Sequence, residues 1–413
     1  MTQCISLLAN RGLASKGVTL HGQGFAVSQA EAQSLIRSDG VKAEKVVRPY
    51  LNGRDLVQNG TQRWAIDLFG LSEDYVQNEL PAIYRKLIEE VKPHRMQNNR
   101  AQYRDYWWIF GEPRKDIRPA LEDLDRIIVT ARTAKHRVFL TLDSDSILES
   151  EIVCIAIDGF DQLAVLSSRL HTIWALACGS VLGPTPRYTK STCFDPFPFP
   201  VLTPAQSEKL SHLGEQLDAY RKARQTEHPQ LTLTGMYNVL ERAREIEASR
   251  SGEILQGRDR EIYEQAGIAR LRDLHAQIDV AVADAYGWPT DLSEEEILSY
   301  LVALNRERAL EEAVGNVKWL RPDYQNPTGE TGPSKTGTLE LEDQIATGKL
   351  PWPKELPTQM ATVRAVLSDL GSASVEQVSS QFVRAQRKTI KDRLEVLAAL
   401  GQAERLEDDR YAA

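Results

Sequence analysis

The sequence predicts an α+β multidomain protein, in which a mixed α/β domain (residues 1–202) precedes an α-helical domain (203–320) and a small C-terminal domain (357–413). Three observations predict this organisation. Short apolar runs rich in β-branched residues fill the middle of the first part, as strands do. Long amphipathic segments with charged faces follow residue 203. A stretch rich in Pro, Gly, Thr and Ser, without an apolar period, covers residues 321–356 and predicts a flexible linker.

Three apolar runs of strand length predict a sheet in the first domain. They are Arg126–Ala131, Arg137–Leu142 and Glu151–Ile157. A helix is predicted to follow at Leu163–Cys178, where apolar residues recur at helical spacing and Gly179 supplies a C-terminal stop. In a strand, His136 would face away from its neighbours. His171, on the predicted helix, is interpreted as structural rather than catalytic.

Local stop and start patterns place further elements. Ser28 and Glu31 form a capping-box pattern at the start of a short helix. The Asn52-Gly53 pair predicts a tight turn that presents Arg54 and Asp55. A helix is predicted at Pro81–Val91, and Thr203 caps a long helix whose first residue is Pro204. More helices are predicted at Gly235–Ile246, Arg258–Tyr286 and Glu294–Ala313, the last capped by Asp291 or Ser293.

The C-terminal domain reads as three helices followed by a short two-stranded tail, which is the layout of a winged helix. The third helix of such a domain enters a major groove when the domain binds DNA. Cations gather on that helix here, but the following wing is acidic, so contact with DNA and contact with a protein partner both remain open. The cations are Arg384, Arg387, Lys388, Lys391 and Arg393.

Cations also gather in the middle of the first domain, where acids are sparse. They predict a positively charged surface for phosphates, although the chain has a formal net charge of -8. The alternative is a solvated basic strand edge that discourages aggregation. Trp107 and Trp108 either stack on nucleobases or belong to the core. The candidate phosphate contacts are Arg114, Arg118, Arg132, Lys135 and Arg137.

A loop from Gly179 to Thr192 has the features needed for reading a base sequence. The predicted helix precedes it, and buried Phe194, Phe197 and Phe199 are expected to anchor its other end. Arg187 can present a two-donor fork to a guanine, and Lys190 can reach a phosphate or a guanine. Tyr188 and Thr189 complete the set of candidate DNA contacts. The alternative is that Arg187 and Tyr188 only close the loop onto the sheet.

Four blocks in fixed order resemble one known family: WWIFGEPR (from Trp107), TARTAKHRVF (from Thr130), SSRLHTIWALACGS (from Ser167) and PRYTKSTCFDPFPFP (from Pro186). They are similar to the target recognition domain of the MmeI-like adenine-N6 DNA methyltransferases and restriction-modification proteins. The resemblance extends over most of residues 10–325. It implies that residues 1–202 recognise a DNA target and that the helices of 203–320 help to clasp DNA; the alternative is that their charged faces are only solvated.

In that family the methyltransferase precedes the recognition domain, so the resemblance implies a specificity subunit or fragment. Its catalytic part, which carries S-adenosylmethionine, is expected on a separate chain; the alternative is that it was lost by truncation. The residues agree with this expectation. Methylation of a flipped adenine uses an [NDS]PP[YFW] tetrapeptide. The nearest match is Asn326-Pro327-Thr328-Gly329, which lacks the second proline and the aromatic residue. The Gly-rich run HGQGFAV has no surrounding βαβ unit. We therefore predict no catalytic residue and no cofactor site in this chain.

Other classes of protein are less well supported. Four cysteines without CxxC spacing predict neither a zinc site nor a disulfide framework. The acidic residues Asp143, Asp145, Glu149 and Glu151 are interpreted as a solvated loop rather than a metal site. No membrane span or signal peptide is predicted, and a cytoplasmic protein is expected. Two alternatives stay open, a stand-alone winged-helix regulator that binds DNA and an interaction scaffold of a phage-defence system.

Overall fold

The computed structural model describes residues 4–58, 63–183, 185–250, 253–329, 350–352, 356–383, 387–399, 403–406 and 410–412. The chain divides into two units, of which the first comprises Met1–Arg308 and Lys318–Gly329 and the second Ala309–Val317 and Glu330–Ala413. Mixed helices and small sheets make the protein α+β, as predicted.

Ten short strands lie in the described part of the first unit. They are β1 (Ala14–Lys16), β2 (Ala26–Ser28), β3 (Val47–Leu51), β4 (Arg63–Ile66), β5 (Arg126–Ala131), β6 (Leu140–Asp143), β7 (Ile147–Leu148), β8 (Ile152–Ile155), β9 (Ser180–Leu182) and β10 (Thr185–Arg187). Of the three predicted strands, the first has the predicted bounds. The second begins only at Leu140, because residues 132–139 form a loop.

The strands form two four-stranded sheets and a hairpin. The central sheet has the order β1-β8-β5-β6 and is antiparallel throughout. The N-terminal sheet has the order β2-β4-β3-β7, with its last pair parallel. Strands β9 and β10 pair with each other in a separate antiparallel hairpin.

Helices supply most of the remaining structure of the first unit. They are α1 (Gln29–Asp39), α2 (Val41–Glu44), α3 (Gly53–Val57), α4 (Glu73–Glu79), α5 (Pro81–Glu90), α6 (Lys92–Met96), α7 (Ala101–Asp105), α8 (Arg118–Leu121), α9 (Phe160–Ser167), α10 (Arg169–Cys178), α11 (Pro204–Glu227), α12 (Leu233–Ser249), α13 (Gly257–Gln265), α14 (Ile268–Tyr286), α15 (Glu294–Ala313) and α16 (Pro322–Gln325). Short 3₁₀ turns lie at Leu8–Asn10 and Gln23–Phe25.

The larger core joins the central sheet to α9, α10, α11 and α14. Helix α11 packs so closely against α9 that a Cβ added at Gly214 would be 2.1 Å from the carbonyl oxygen of Phe160. A glycine is therefore required at this crossing. A second core packs beneath the N-terminal sheet and contains Trp107 and Trp108, only 2% and 8% exposed. The core interpretation of the tryptophan pair is the one that the structure supports.

Two predicted helices are each divided in two. The helix expected at Leu163–Cys178 is interrupted at Ser168, whose backbone is extended and whose hydroxyl accepts a hydrogen bond from the His171 amide. The helix expected at Arg258–Tyr286 is interrupted at Gly267, which has a left-handed φ of 56°. In both cases the residue that ends one helix sets up the next, which periodicity alone does not show.

Three predicted helix caps are present, whereas the tight turn predicted at Asn52 is a fourth helix cap. Ser28 and Glu31 form the capping box, Thr203 and Gln206 form another, and Ser293 rather than Asp291 caps α15. Asn52 does not form a tight turn. Its side chain caps α3 by accepting hydrogen bonds from the amides of Arg54 and Asp55. The preference of Asn for both turns and helix caps explains the difference.

The start of the predicted linker is part of the first unit. Arg321 donates to the carbonyl oxygen of Ala156 at 3.0 Å, and the amide of Gln325 donates to those of Ala9 and Arg11, each at 3.0 Å. These bonds hold α16 in place, so the prediction of a linker is wrong for residues 321–326. Residues 330–349 and 353–355 of that prediction lie outside the described residues.

Besides the end of α15 (from Ala309), the described part of the second unit contains three helices and five short strands. They are β11 (Leu350–Pro351), α17 (Leu356–Leu370), β12 (Ser372–Ser374), α18 (Val375–Ser380), β13 (Phe382–Val383), α19 (Arg387–Ala399), β14 (Glu404–Arg405) and β15 (Arg410–Ala412). Strands β12, β15 and β14 form one sheet in that order, and β11 pairs with β13. A core that includes Leu367, Ile390, Leu394 and Tyr411 joins the helices to the sheet. The predicted helices and the two-stranded tail are present.

Candidate nucleic-acid interface

The segment predicted as a reading loop is an ordered hairpin. Strands β9 and β10 pair with Ser180 opposite Arg187, Val181 opposite Pro186 and Leu182 opposite Thr185. A π-helical turn at Lys190–Phe194 follows. We call β9 and β10 the reading hairpin. The prediction of a loop from Gly179 to Thr192 was therefore wrong in conformation, since a strand pair fixes the side chains of this segment to two faces.

The reading hairpin is anchored at its base from several sides. A Cβ at Gly179 would lie 2.6 Å and 2.7 Å from the carbonyl oxygens of Ala175 and Arg187, so only glycine lets the end of α10 meet β10 so closely. The side-chain amide of Asn10 donates to the carbonyl oxygens of Phe194 and Phe197 at 3.0 Å and 2.8 Å. Phe194, Phe197 and Phe199 are buried, as predicted.

Strand β10 also binds the loop that follows β5, so two basic blocks distant in sequence meet. The Tyr188 amide donates to the Arg132 carbonyl at 2.7 Å, and the Ala134 amide donates to the Pro186 carbonyl at 3.3 Å. A further bridge joins Thr133 to Arg187. The backbone therefore positions Arg132 beside Arg187 independently of their side chains.

Arg132 lies within electrostatic reach of both Arg114 and Arg187, and we call these three predicted cations the arginine cluster. Burial lowers the pKa of Arg132, the charges of Arg187 and Arg114 lower it further, and Glu151 opposes them. Such crowding of like charges is unfavourable unless an anion is present. The cluster is therefore a candidate site for phosphate or for the acceptor edge of a base.

The three members of the arginine cluster are held differently. Arg132 pairs with Glu151 at 3.0 Å, and Arg114 pairs with Glu112 while donating to the Gly17 carbonyl at 2.9 Å. Arg187 forms no ion pair with any residue that the structure describes, and its Nε is buried without a hydrogen-bond partner. Arg187 is thus the member whose charge is least satisfied within the protein.

Arg137 and Tyr188 do not belong to the interface, although both were predicted as DNA contacts. Tyr188 is fully buried, and its hydroxyl lies 3.1 Å from Nε2 of His171. Arg137 stacks over the Tyr188 ring and bonds Thr130 Oγ1 at 3.1 Å and the carbonyl of Ala131. Its donors are used inside the protein, so the alternative that Tyr188 closes the segment onto the sheet is the one that fits.

Burial lowers the pKa of His171 to about 3, and nearby Arg137 acts in the same direction. The ring is therefore neutral at ordinary pH. It packs edge-on against Phe197 with ring centroids 4.4 Å apart. The structural interpretation of His171 fits its place in the core beneath the reading hairpin.

Arg118 and Lys135 lie outside the arginine cluster. Arg118 donates two hydrogen bonds to Asp67, at 2.8 Å and 3.2 Å, and Arg48 contacts the same carboxylate at 2.6 Å. Together with Arg114 these side chains line a cavity of about 530 Å³. Lys135 is exposed and donates to the side-chain oxygen of Asn238 at 2.7 Å.

Thr189 and Lys190 follow the reading hairpin and are both partly exposed. Lys190 lies 3.3 Å from Asp195. Burial raises the pKa of the Asp195 carboxyl, and the charge of Lys190 opposes this shift only in part. The Thr189 amide donates to Sγ of Cys193 at 3.4 Å. The side chains of both residues are close enough to the surface to reach a ligand beside the hairpin.

The second unit carries its predicted cations on one helix. Arg387, Lys388 and Lys391 are exposed on α19, and Arg384 lies outside the described residues. Arg387 lies 3.3 Å from Glu376, and Lys391 lies 3.9 Å from Glu395 one turn further along. These are ordinary solvated ion pairs, so the geometry by itself does not distinguish a DNA contact from a protein contact.

Among the described residues, no group of three or more His, Cys, Asp or Glu side chains could hold a metal ion. The described helices include none that is long and apolar enough to cross a membrane. Asn326, the first residue of the nearest match to a methyltransferase tetrapeptide, follows α16 in the first unit. Sequence reasoning missed Asn10 and Asp67, because single polar residues that anchor backbone or cations carry no motif.

Comparison with known proteins identifies the class of the mixed α/β part of the first unit. Residues 13–201 match the family model described as the target recognition domain of MmeI. This part of the chain is therefore a target recognition domain of the MmeI type, and the predicted resemblance is confirmed. Its matched region contains the arginine cluster and the reading hairpin.

A solved structure, that of the type IIL restriction-modification enzyme MmeI in complex with DNA, has the same fold over most of the chain. The TM-score is 0.54 at 16% sequence identity, covering 75% of this chain and 37% of that one. The chain thus spans little more than a third of the length of that enzyme. A search of the curated proteins finds no match.

Proposed function

We propose that the chain recognises a specific DNA sequence as the specificity subunit or fragment of an adenine-N6 DNA methyltransferase or restriction-modification system. The observation that carries the proposal is Arg187, a guanidinium with no ion pair among the described residues, held beside Arg132 on a target recognition domain. A planar fork of donors matches the O6 and N7 acceptors of guanine.

The other candidate residues divide into contacts with different roles. Arg132 and Arg114 are already paired with acids, so they contribute positive potential near the DNA rather than base reading. Lys135, Thr189 and Lys190 are accessible enough to contact phosphates. Arg118 holds Asp67 and supports the domain. Arg187 is then the principal base-reading residue of this surface.

Catalysis is proposed to reside on a separate chain that binds S-adenosylmethionine, because the sequence contains no [NDS]PP[YFW] tetrapeptide. The comparison structure is an enzyme bound to DNA and is much longer than this chain. We propose that this recognition part works with a cytoplasmic methyltransferase in phage defence. Purified full-length protein is expected to transfer no methyl group from labelled S-adenosylmethionine to DNA, and measurable transfer would refute this division of labour.

The test of recognition is selection of bound sites from random duplexes. The wild-type chain is expected to select a defined sequence, and Arg187→Ala is expected to relax the preference at one base pair by about 1–3 kcal/mol. Arg85→Ala is the matched control, because Arg85 is exposed on α5 and has no ion pair among the described residues. If Arg187→Ala selected the same sequence with the same affinity, the hairpin would not read DNA.

A second candidate function is a stand-alone regulator that binds DNA through the second unit, which would then be a winged helix. The exposed cations of α19 favour it. Under that alternative, simultaneous alanine exchange of Arg387, Lys388 and Lys391 abolishes sequence preference, while Arg187→Ala leaves it unchanged. The opposite pattern supports the principal proposal. If the unit instead serves as an interaction scaffold, neither exchange alters DNA binding.

A further inference from the structure

The reading hairpin exposes two adjacent apolar side chains. Val181 is 71% exposed and Leu182 is 57% exposed, both on β9. Single exposed apolar residues are common, but two in succession on a short strand beside a group of cations form an unusual surface for solvent. Sequence reasoning did not identify either residue, because a run of two apolar residues has no period.

The strand register assigns the hairpin residues to two faces. Residues directly opposite in an antiparallel pair share a face, and neighbours along a strand alternate. Leu182 and Thr185 therefore lie on the same face as Ser180 and Arg187, whereas Val181 and Pro186 lie on the other. Tyr188, the next residue on the Pro186 face, is fully buried. The face with Leu182 and Arg187 is thus the one opposite the core side at the base of the hairpin.

At one end this face carries the apolar Leu182 and the hydroxyl group of Thr185, and at the other end the hydroxyl group of Ser180 and the guanidinium of Arg187. The major groove of DNA admits a two-stranded ribbon, and its floor presents the same chemical variety. Guanine offers acceptors to the guanidinium, and the only apolar group that a base pair displays there is the C5 methyl of thymine. A leucine side chain complements that methyl group.

The spacing along the ribbon fits the spacing of base pairs. Ser180, the partner of Arg187, and Leu182 are two residues apart on β9, which corresponds to about 6.7 Å along a strand. Base pairs rise by about 3.4 Å along the helix axis, so that distance covers about two steps. A ribbon lying along the groove would therefore place Leu182 two base pairs away from Arg187.

We propose that Leu182 reads a thymine methyl group in the major groove, two base pairs from the guanine contacted by Arg187. This inference rests on the proposed recognition of DNA by the reading hairpin and adds a specificity-determining residue to it. The contact is apolar and short, so its removal changes discrimination at one position without changing the charge of the surface.

The experiment uses the full chain and the selected duplex in which the guanine dependent on Arg187 has been located. Thymine at the position two base pairs away is replaced by uracil, which lacks only the C5 methyl. The affinity of the wild type is expected to fall about three- to fivefold, the value of one buried methyl group. Leu182→Ala is expected to bind the thymine and uracil duplexes equally.

Val181→Ala is the matched control, because Val181 is more exposed but lies on the other face. It is expected to keep the discrimination between thymine and uracil. Equal binding of both duplexes by the wild type, or loss of discrimination in Val181→Ala alone, overturns the inference while leaving recognition by Arg187 intact. If the chain selects no sequence at all, the proposed function fails and the inference fails with it. Melting temperatures of the variants confirm that both remain folded.

Discussion

Cations in the first unit and cations in the second unit are held in opposite ways. In the arginine cluster, Arg132 has a side chain only 17% exposed, and backbone bonds between β10 and residues 132–134 fix its position beside Arg187. On α19, Arg387 and its partner Glu376 have side chains that are 69% and 57% exposed. Backbone hydrogen bonds between distant segments position the first group, whereas the second group is positioned only by the helix that carries it.

The difference matters because sequence reading and phosphate attraction need different things from a cation. A guanidinium that reads a base must be held at a defined angle and depth, so its support must be rigid. A cation that attracts phosphate needs only to be near the backbone, and a mobile side chain is sufficient. We therefore expect sequence discrimination from the first unit and only general affinity for DNA from the second.

When a carboxylate partner of the cations is removed in each unit, the largest expected difference between the units is in the free energy of unfolding. In Asp67→Ala, Arg48 and Arg118 lose their shared carboxylate, whose side chain is only 3% exposed, so we expect the free energy of unfolding to fall by about 2–4 kcal/mol. Glu376→Ala in the second unit is the matched control and is expected to cost less than about 1 kcal/mol. Equal losses in urea unfolding of the two variants would show that the first unit holds its cations no more firmly.

The two units should also differ in their response to acid. The unfolded chain protonates His171 near its ordinary pKa of ~6.5, whereas burial lowers the pKa in the folded protein to about 3. Protonation therefore favours unfolding, and stability is lost as pH falls from 6.5 towards 3, by about 2 kcal/mol at pH 5 for this group. The second unit contains no histidine. Calorimetry of wild type and His171→Gln should show a shallower pH dependence in the variant.

A smaller effect is expected at the base of the reading hairpin. In Gly179→Val, the added side chain would meet the carbonyl oxygens of Ala175 and Arg187, so the hairpin must shift at a cost of about 1–2 kcal/mol. The same shift should relax preference at the base pair that depends on Arg187. Val181→Ala, on the other face of the hairpin, should change neither property. A variant at Gly179 that kept the selected sequence would indicate that the position of the hairpin is not critical.

How far the sequence predicted this molecule depended on whether the determining contacts were local. Strand β5 and the caps of α1 and α11 could be predicted, because the residues that determine each of them lie close together in the sequence. The burial of Tyr188 and the stacking of Arg137 over its ring depend on a pairing between residues 132–134 and the end of the reading hairpin, which lie about fifty residues apart. No local pattern distinguishes Arg137, which is used inside the protein, from Arg187, which is not. The hairpin escaped prediction because its glycine and prolines also suit a loop.

The smallest effect per residue is expected on the affinity for DNA when the cations of α19 are replaced, because each of them is exposed. Alanine exchange of Arg387, Lys388 and Lys391 should lower affinity equally for all duplex sequences, because freely solvated cations attract phosphates without selecting bases. The slope of log affinity against log salt should fall by about 0.9 for each phosphate contact removed. Each contact is worth little, so the triple variant is needed to measure the change.

The selected sequence should be the same for this triple variant and for the wild type, since the positioned cations of the first unit are untouched. Exchange of Arg364→Ala on α17, also exposed in the second unit, controls for the loss of charge alone. A changed preference at one or more base pairs would mean that α19 enters a groove and reads bases, which would make the second unit a winged helix that specifies sequence. An unchanged slope would instead remove α19 from the DNA and favour a protein partner for it.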